Sequence, residues 1–146
     1  MKAGAIAALA GLVCGLAVVC APAPGHADAF AVLVNNANPV SVLSRQELKK
    51  AVTGGTKQWG NGAVVQLGVI PGDAPETQYL GSLVDLGARD LIARIQEQVF
   101  KGEMRRPVTL RSSADCTALV RGSPGAICVA SSSAGVPPEA HAVAVQ

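Results

Sequence analysis

Short apolar runs ending in turn residues alternate along this chain with segments whose apolar residues recur at the helical period, and that alternation narrows the folds open to it. Phe30 to Val34 is a continuous apolar run stopped by Asn35-Asn36, which reads as a buried strand and its turn. A helix start follows: Ser44 can cap, Glu47 stands three residues on, and Leu43 and Leu48 hold the two staple positions. That helix carries Leu48, Ala51 and Val52 inward and stops at Gly54-Gly55. Val64 to Ile70 reads as a second strand, closed by Pro71-Gly72. The spacing then predicts a long helix from roughly Glu76 to Phe100, because Val84, Ala88, Leu91, Ile92, Ile95 and Val99 fall at i, i+4, i+7, i+8, i+11 and i+15. Arg89, Asp90, Arg94 and Glu97 lie off that stripe as a solvated face, and a break is expected near Asp85-Leu86-Gly87. Pro107 to Leu110 is a third strand, Ser112 or Ser113 caps a helix ending at Gly122, Ala126 to Ala130 is a fourth strand and Ala142 to Val145 a fifth. Strands alternating with helices imply an α/β domain: a mostly parallel sheet of about four to five strands flanked by helices.

The N-terminus stands outside that pattern. Lys2 precedes an apolar run, Ala5 to Ala21, that carries no charge and is broken by Pro22, Pro24 and Gly25. Gly25-His26-Ala27 places small residues at the −3 and −1 positions of a cleavage site, so residues 1–27 read as a signal peptide and 28–146 as one α/β domain. The competing readings are a membrane anchor, for which the run is short and rich in Ala and Gly, and a lipid site at Cys20, where Val19 is larger than such sites prefer. Export implies a periplasmic or secreted protein. Cys14 and Cys20 leave with the signal, so Cys116 and Cys128 remain as an even pair in an oxidising compartment, expected to form a disulfide; two buried free thiols are the alternative.

Composition removes several functions. Twelve basic residues face ten acidic ones, too even for an electrostatic nucleic-acid binder, and four aromatics (Phe30, Trp59, Tyr79, Phe100) make no base-stacking platform. No Gly-x-Ser-x-Gly elbow, His-Glu-x-x-His pair or phosphate loop occurs, and His141 is the single histidine after Ala27. Serine or cysteine hydrolysis, a metal site and a cofactor all lack their residues. Asp73 and Glu76 resemble paired catalytic carboxylates, but a turn acid followed by a helix-start acid gains equally from the helix dipole. No catalytic residue is assigned, and the chain is not read as an enzyme.

In order along the chain stand Asn35-Asn36-Ala37-Asn38-Pro39-Val40, Leu43-Ser44-Arg45-Gln46-Glu47-Leu48, Gly55-Thr56-Lys57-Gln58-Trp59-Gly60-Asn61-Gly62, Phe100-Lys101-Gly102 with Arg106-Pro107, and Ser123-Pro124-Gly125-Ala126-Ile127. This succession resembles small exported proteins related to the phosphate ABC-transporter substrate-binding family. The resemblance implies a single periplasmic-binding-protein-like lobe, where full-length relatives use two lobes to trap an oxyanion. The family's anion loop reads Arg-Ser-Asp-Gly-Ser-Gly-Thr; here Pro71-Gly72-Asp73-Ala74-Pro75-Glu76-Thr77 stands in its place. Asp73 and Thr77 match. Pro71 replaces the arginine, Gly72 the first serine, and Pro75 and Glu76 the second serine and glycine. Pro75 has no N–H to donate, and Glu76 adds a negative charge where an anion would sit. Cys128-Val129 replaces the usual Gly-Tyr, and with Cys116 on the preceding helix the exchange fits a helix-to-strand staple. The expected function is thus a solute-binding-like module holding a small oxyanion weakly around Gly72, Asp73 and Thr77. The alternative is a ligand-free interaction module that docks on a membrane permease or another envelope protein.

Overall fold

The computed structural model describes residues 29–146; the expected signal peptide, with Cys14 and Cys20, lies outside them. Six strands form one sheet: β1 (Phe30–Asn35), β2 (Val42–Leu43), β3 (Gln66–Val69), β4 (Val108–Thr109), β5 (Ala126–Ser131) and β6 (Ala140–Val145), in spatial order β2-β6-β1-β5-β3-β4. Five of them run the same way, and β1, in the interior of the sheet, runs against both neighbours, β5 and β6. The sheet is mostly parallel, as expected. The expected count of four to five is corrected to six by β2, whose two residues pair with Ala144 and Val145. So short a strand leaves no alternation to read, and Leu43 serves at once as strand residue and helix staple.

Four helices cover the sheet: α1 (Arg45–Val52), α2 (Pro75–Leu83), α3 (Ala88–Phe100) and α4 (Ser113–Gly122). On one face Val32, Val34, Leu67, Ile127, Val129 and Val143 of the strands bury against Leu48 and Val52 of α1, Leu80 of α2, and Leu91 and Ile95 of α3. On the other, Leu33, Cys128, Ala130 and Ala140 meet Cys116 and Val120 of α4. Both sides of β1 and β5 are covered, which is why their sequences are continuous apolar runs. The α1 start is the expected capping box: Ser44 Oγ accepts from the Glu47 N–H at 3.1 Å, and Glu47 Oε2 accepts from the Ser44 N–H at 2.8 Å.

The helix expected over 76–100 is broken at Val84–Gly87, where a break was expected, and forms two helices, α2 and α3. At their junction Asp85 takes φ +60, and the Leu86 N–H turns back to the Gly81 carbonyl at 2.9 Å. The Leu86 carbonyl oxygen occupies the space that a Cβ on Gly81 would fill, so this glycine permits the reversal rather than merely weakening a helix. Arg89, Asp90, Arg94 and Glu97 are exposed, as their place off the stripe predicts.

Cys116 and Cys128 are joined, with their Cα atoms 5.9 Å apart, fastening α4 to β5; the free-thiol alternative falls. The asparagine-rich turn after β1 is a structural device. Asn35 Oδ1 accepts from the Ala37 N–H, Asn38 Oδ1 from the Val40 N–H, and His141 on β6 bridges Asn36 Oδ1 and the Val40 carbonyl.

Candidate functional site

The loops that follow β3 and β4 meet at the carboxyl end of the parallel strands, with α2 leaving on one face and α4 on the other. Ligands of open α/β sheets bind where connections diverge in this way. After β3 the chain passes Ile70 and Pro71, turns at Gly72 with φ +83, and enters α2 at Pro75. Positive φ suits glycine there. Ala74, the residue before α2, offers no side-chain cap, and the first intrahelical bond is the Gln78 N–H to the Ala74 carbonyl. The Glu76 and Thr77 N–H groups precede that bond and are left over as donors, while Pro75 supplies none.

The three residues of the expected anion loop take different places. Gly72 and Asp73 line a pocket of ≈ 220 Å³ together with Arg89, Ile92, Ala93 and Gln96 of α3. Thr77 does not line it: the side chain is buried, 2% exposed, and its hydroxyl donates to the Ile70 carbonyl. A hydroxyl has one proton, so in this arrangement Thr77 braces the β3–α2 turn. The Asp73 carbonyl accepts from Gln78 Nε2 at 2.8 Å, and its carboxylate lies 3.5 Å from Arg89 Nη2, an exposed pair of small energetic weight.

Glu76 has the partner that sequence reading missed. Its Oε1 accepts from Ser113 Oγ at 2.8 Å, and that same Oγ accepts from the Ser131 N–H at 2.7 Å. Glu76 on α2, Ser113 on α4 and Ser131 at the end of β5 are thereby tied into one polar junction. Ser112 caps α4 by accepting from the Asp115 N–H, as one of the two expected serines. The role of Ser113 becomes visible only with the strand order, because β3 separates β4 from β5 in the sheet.

Among the described residues no imidazole stands beside the hydroxyl–carboxylate pair, since His141 lies at the opposite end of the sheet, near the Val34 end of β1. Among the described residues no three His, Cys, Asp or Glu side chains gather where a metal ion could be held. The arrangement offers leftover N–H donors, one glycine turn and a small pocket in which Asp73, Arg89 and Gln96 stand beside Ile92 and Ala93, a setting for binding a ligand.

No protein-family pattern and no curated protein matches the sequence. Solved structures do match the fold. An ABC-type phosphate transport receptor from Vibrio cholerae aligns with a TM-score of 0.56 at 19% identity, over 81% of this chain and 47% of that one. A putative phosphate ABC transporter substrate-binding protein from Clostridium perfringens, solved with bound phosphate, aligns with a TM-score of 0.61 at 23% identity, over 81% of this chain and 45% of that one. The chain has the periplasmic-binding-protein-like α/β fold of these two structures. It spans about half the length of the receptors it matches, which agrees with a single lobe of that architecture. Within the receptor-like lobe, the β3–α2 loop and the α4 start described above face the same end of the sheet.

Proposed function

We propose that this chain is an exported solute-binding-like module whose site, the turn from β3 into α2, holds a small oxyanion weakly. The observation that carries the reading is the uncapped start of α2 beside Gly72, set in a fold of which one solved example contains phosphate. Gly72 allows close approach, the Glu76 and Thr77 backbone N–H groups donate, and Asp73, with its partner Arg89, forms the wall. The Thr77 hydroxyl keeps the turn in shape. Three residues hold the affinity down: Pro71 offers no guanidinium fork, Pro75 no N–H, and Glu76 carries a like charge into the site.

Isothermal titration with inorganic phosphate at low and moderate salt tests this. The expected dissociation constant is in the millimolar range, roughly 4 kcal/mol, where a micromolar site would need about 8. Glu76→Gly should tighten binding, and by less as salt rises, because the repulsion it removes is screened. A second reading, an interaction module that docks on a membrane permease or envelope protein without a ligand, is favoured by Glu76 already accepting from Ser113 where an anion would approach. Phosphate binding by neither the wild type nor the Glu76→Gly variant would select that reading; a micromolar constant would eliminate it. Export belongs to both readings. Intact-mass analysis of the protein recovered outside the cytoplasm should show Asp28 as the first residue, and a retained N-terminus or a lipid on Cys20 would refute cleavage there.

A further inference from the structure

The described surface has a second concavity next to the pocket at the oxyanion loop, sharing Ile92 and Gln96 with it. Where the end of α3 lies over β3 and β4, a groove of ≈ 440 Å³ opens, within the roughly 300–1,000 Å³ range of small-molecule sites. Val69, Ile92, Ile95 and Val99 contribute its apolar lining, and Pro71 and Pro107 stand at its ends of β3 and β4. Phe100 also lines it and is 93% exposed, whereas Phe30 and Tyr79 stack on each other, 5.4 Å between centroids, and Trp59 is buried. Leaving one of four aromatics in water beside an open apolar groove is costly for a protein that gains nothing from it.

Arg106 is the only charged residue lining the groove, and no acid lines it. Among the described residues Arg106 has no ion pair or side-chain hydrogen bond; Lys57 and Arg105 share that state, but neither lines this groove. A guanidinium without a partner, at the edge of an apolar groove, complements a ligand with one anionic head and an apolar body. Gln96 and Thr109 add hydrogen-bonding groups to the same lining. A protein partner would need an interface of about 1,200–2,000 Å², whereas this groove has the capacity of one small molecule.

We propose that the groove between α3 and the β3–β4 edge binds an apolar carboxylic acid, its carboxylate on Arg106 and its hydrocarbon part along Val69, Ile92, Ile95 and Val99. The groove adjoins the pocket beside Gly72 and shares Ile92 and Gln96 with it, but Arg106 and the apolar lining of Val69, Ile95 and Val99 belong to the groove alone, and the proposal stands whether or not phosphate binds at the loop. It is tested with decanoate, kept below its micelle concentration, against decanol as the uncharged control. Binding is read by titration calorimetry and by displacement of anilinonaphthalene sulfonate fluorescence. Decanoate should bind saturably, and Arg106→Gln should weaken it by roughly tenfold to a hundredfold, the factor of a hydrogen bond to a charged group. Decanol binding should be unchanged by Arg106→Gln, and Val99→Gln should weaken both compounds. Excess inorganic phosphate should not displace decanoate. Equal affinity for the two compounds, or indifference to Arg106→Gln, overturns the proposal, as does competition by phosphate. Dimers in sedimentation that Phe100→Ser converts to monomers would overturn it too, by giving the groove to a second copy of the chain.

Discussion

A methyl group on Gly125 would lie 1.8 Å from the Val64 carbonyl oxygen, a backbone atom that cannot step aside. The Gly125 carbonyl meanwhile accepts from Trp59 Nε1 and from the Gln66 N–H, both at 2.9 Å, so this one residue fastens the Trp59 loop to the start of β3. Gly125→Ala should therefore cost about 1–3 kcal/mol in chemical denaturation, the usual penalty of overpacking, and an unchanged midpoint would contradict the close approach. Asp85 presents the opposite case. It holds φ +60 with its side chain exposed and an Arg45 contact of 3.5 Å, so Asp85→Gly should gain a few tenths to about 1 kcal/mol. A loss would show that the ion pair outweighs the backbone strain. Thr77→Val keeps the shape of the buried side chain but removes its bond to Ile70, and should cost about 0.5–1.5 kcal/mol in the same assay. The capping box of Ser44 and Glu47 was legible because both partners lie within four residues. The constraints on Gly125 and Thr77 were not, because their neighbours, Val64 and Ile70, are set by how loops cross.

The stripe from Val84 to Val99 shows how a helix can be read correctly in type and wrongly in length. Val84 and Ala88 keep helical spacing across the junction although Asp85 leaves the helical region between them, so periodicity alone could not register the gap. Asp85 and Gly87, a turn-prone pair beside it, could. At the end of α3 the pair Glu97–Lys101, 2.8 Å apart, joins the last turn to the C-cap residue. The hydrogen bond from Lys101, with its charge beside it, holds the Glu97 carboxyl below the usual carboxylate range. A lowered acid contributes stability above its ordinary titration range and loses it as pH falls through its own, so the pair fades on acidification and is indifferent between neutral and mildly alkaline pH. Lys101→Ala should return the Glu97 titration, followed by NMR, toward the ordinary value. The disulfide joins α4 to β5 across a sequence separation of 12, and replacing both cysteines by alanine should lower stability by about 3 kcal/mol on the chain-entropy account.

At the scale of the molecule, the elements and their alternation were present in the sequence, but their lateral order was not. Nothing in the Phe30–Val34 run says that it lies inside the sheet and opposes its neighbours, and β2 is too short to announce itself. That order also decides the candidate site: Gly72 and Asp73 were found by motif, whereas Ser113 and Ser131 join Glu76 only because β4 and β5 flank β3. The position of β1 has a further consequence. Its partners, Ala126–Ser131 and Ala140–Val145, are among the last residues of the sequence, so its ladders close over most of the length of the domain. Contacts so distant along the chain form late, after the loop-closure entropy between them has been met. A protein lacking residues 140–146 should lose cooperative unfolding in circular dichroism, since β1 keeps one neighbour and β2 none. During synthesis the first strand to leave the ribosome has nothing to pair with until nearly all the others have followed. A sheet that cannot close until β5 and β6 have been made leaves β1 unpaired through most of synthesis, which suits the export proposed above.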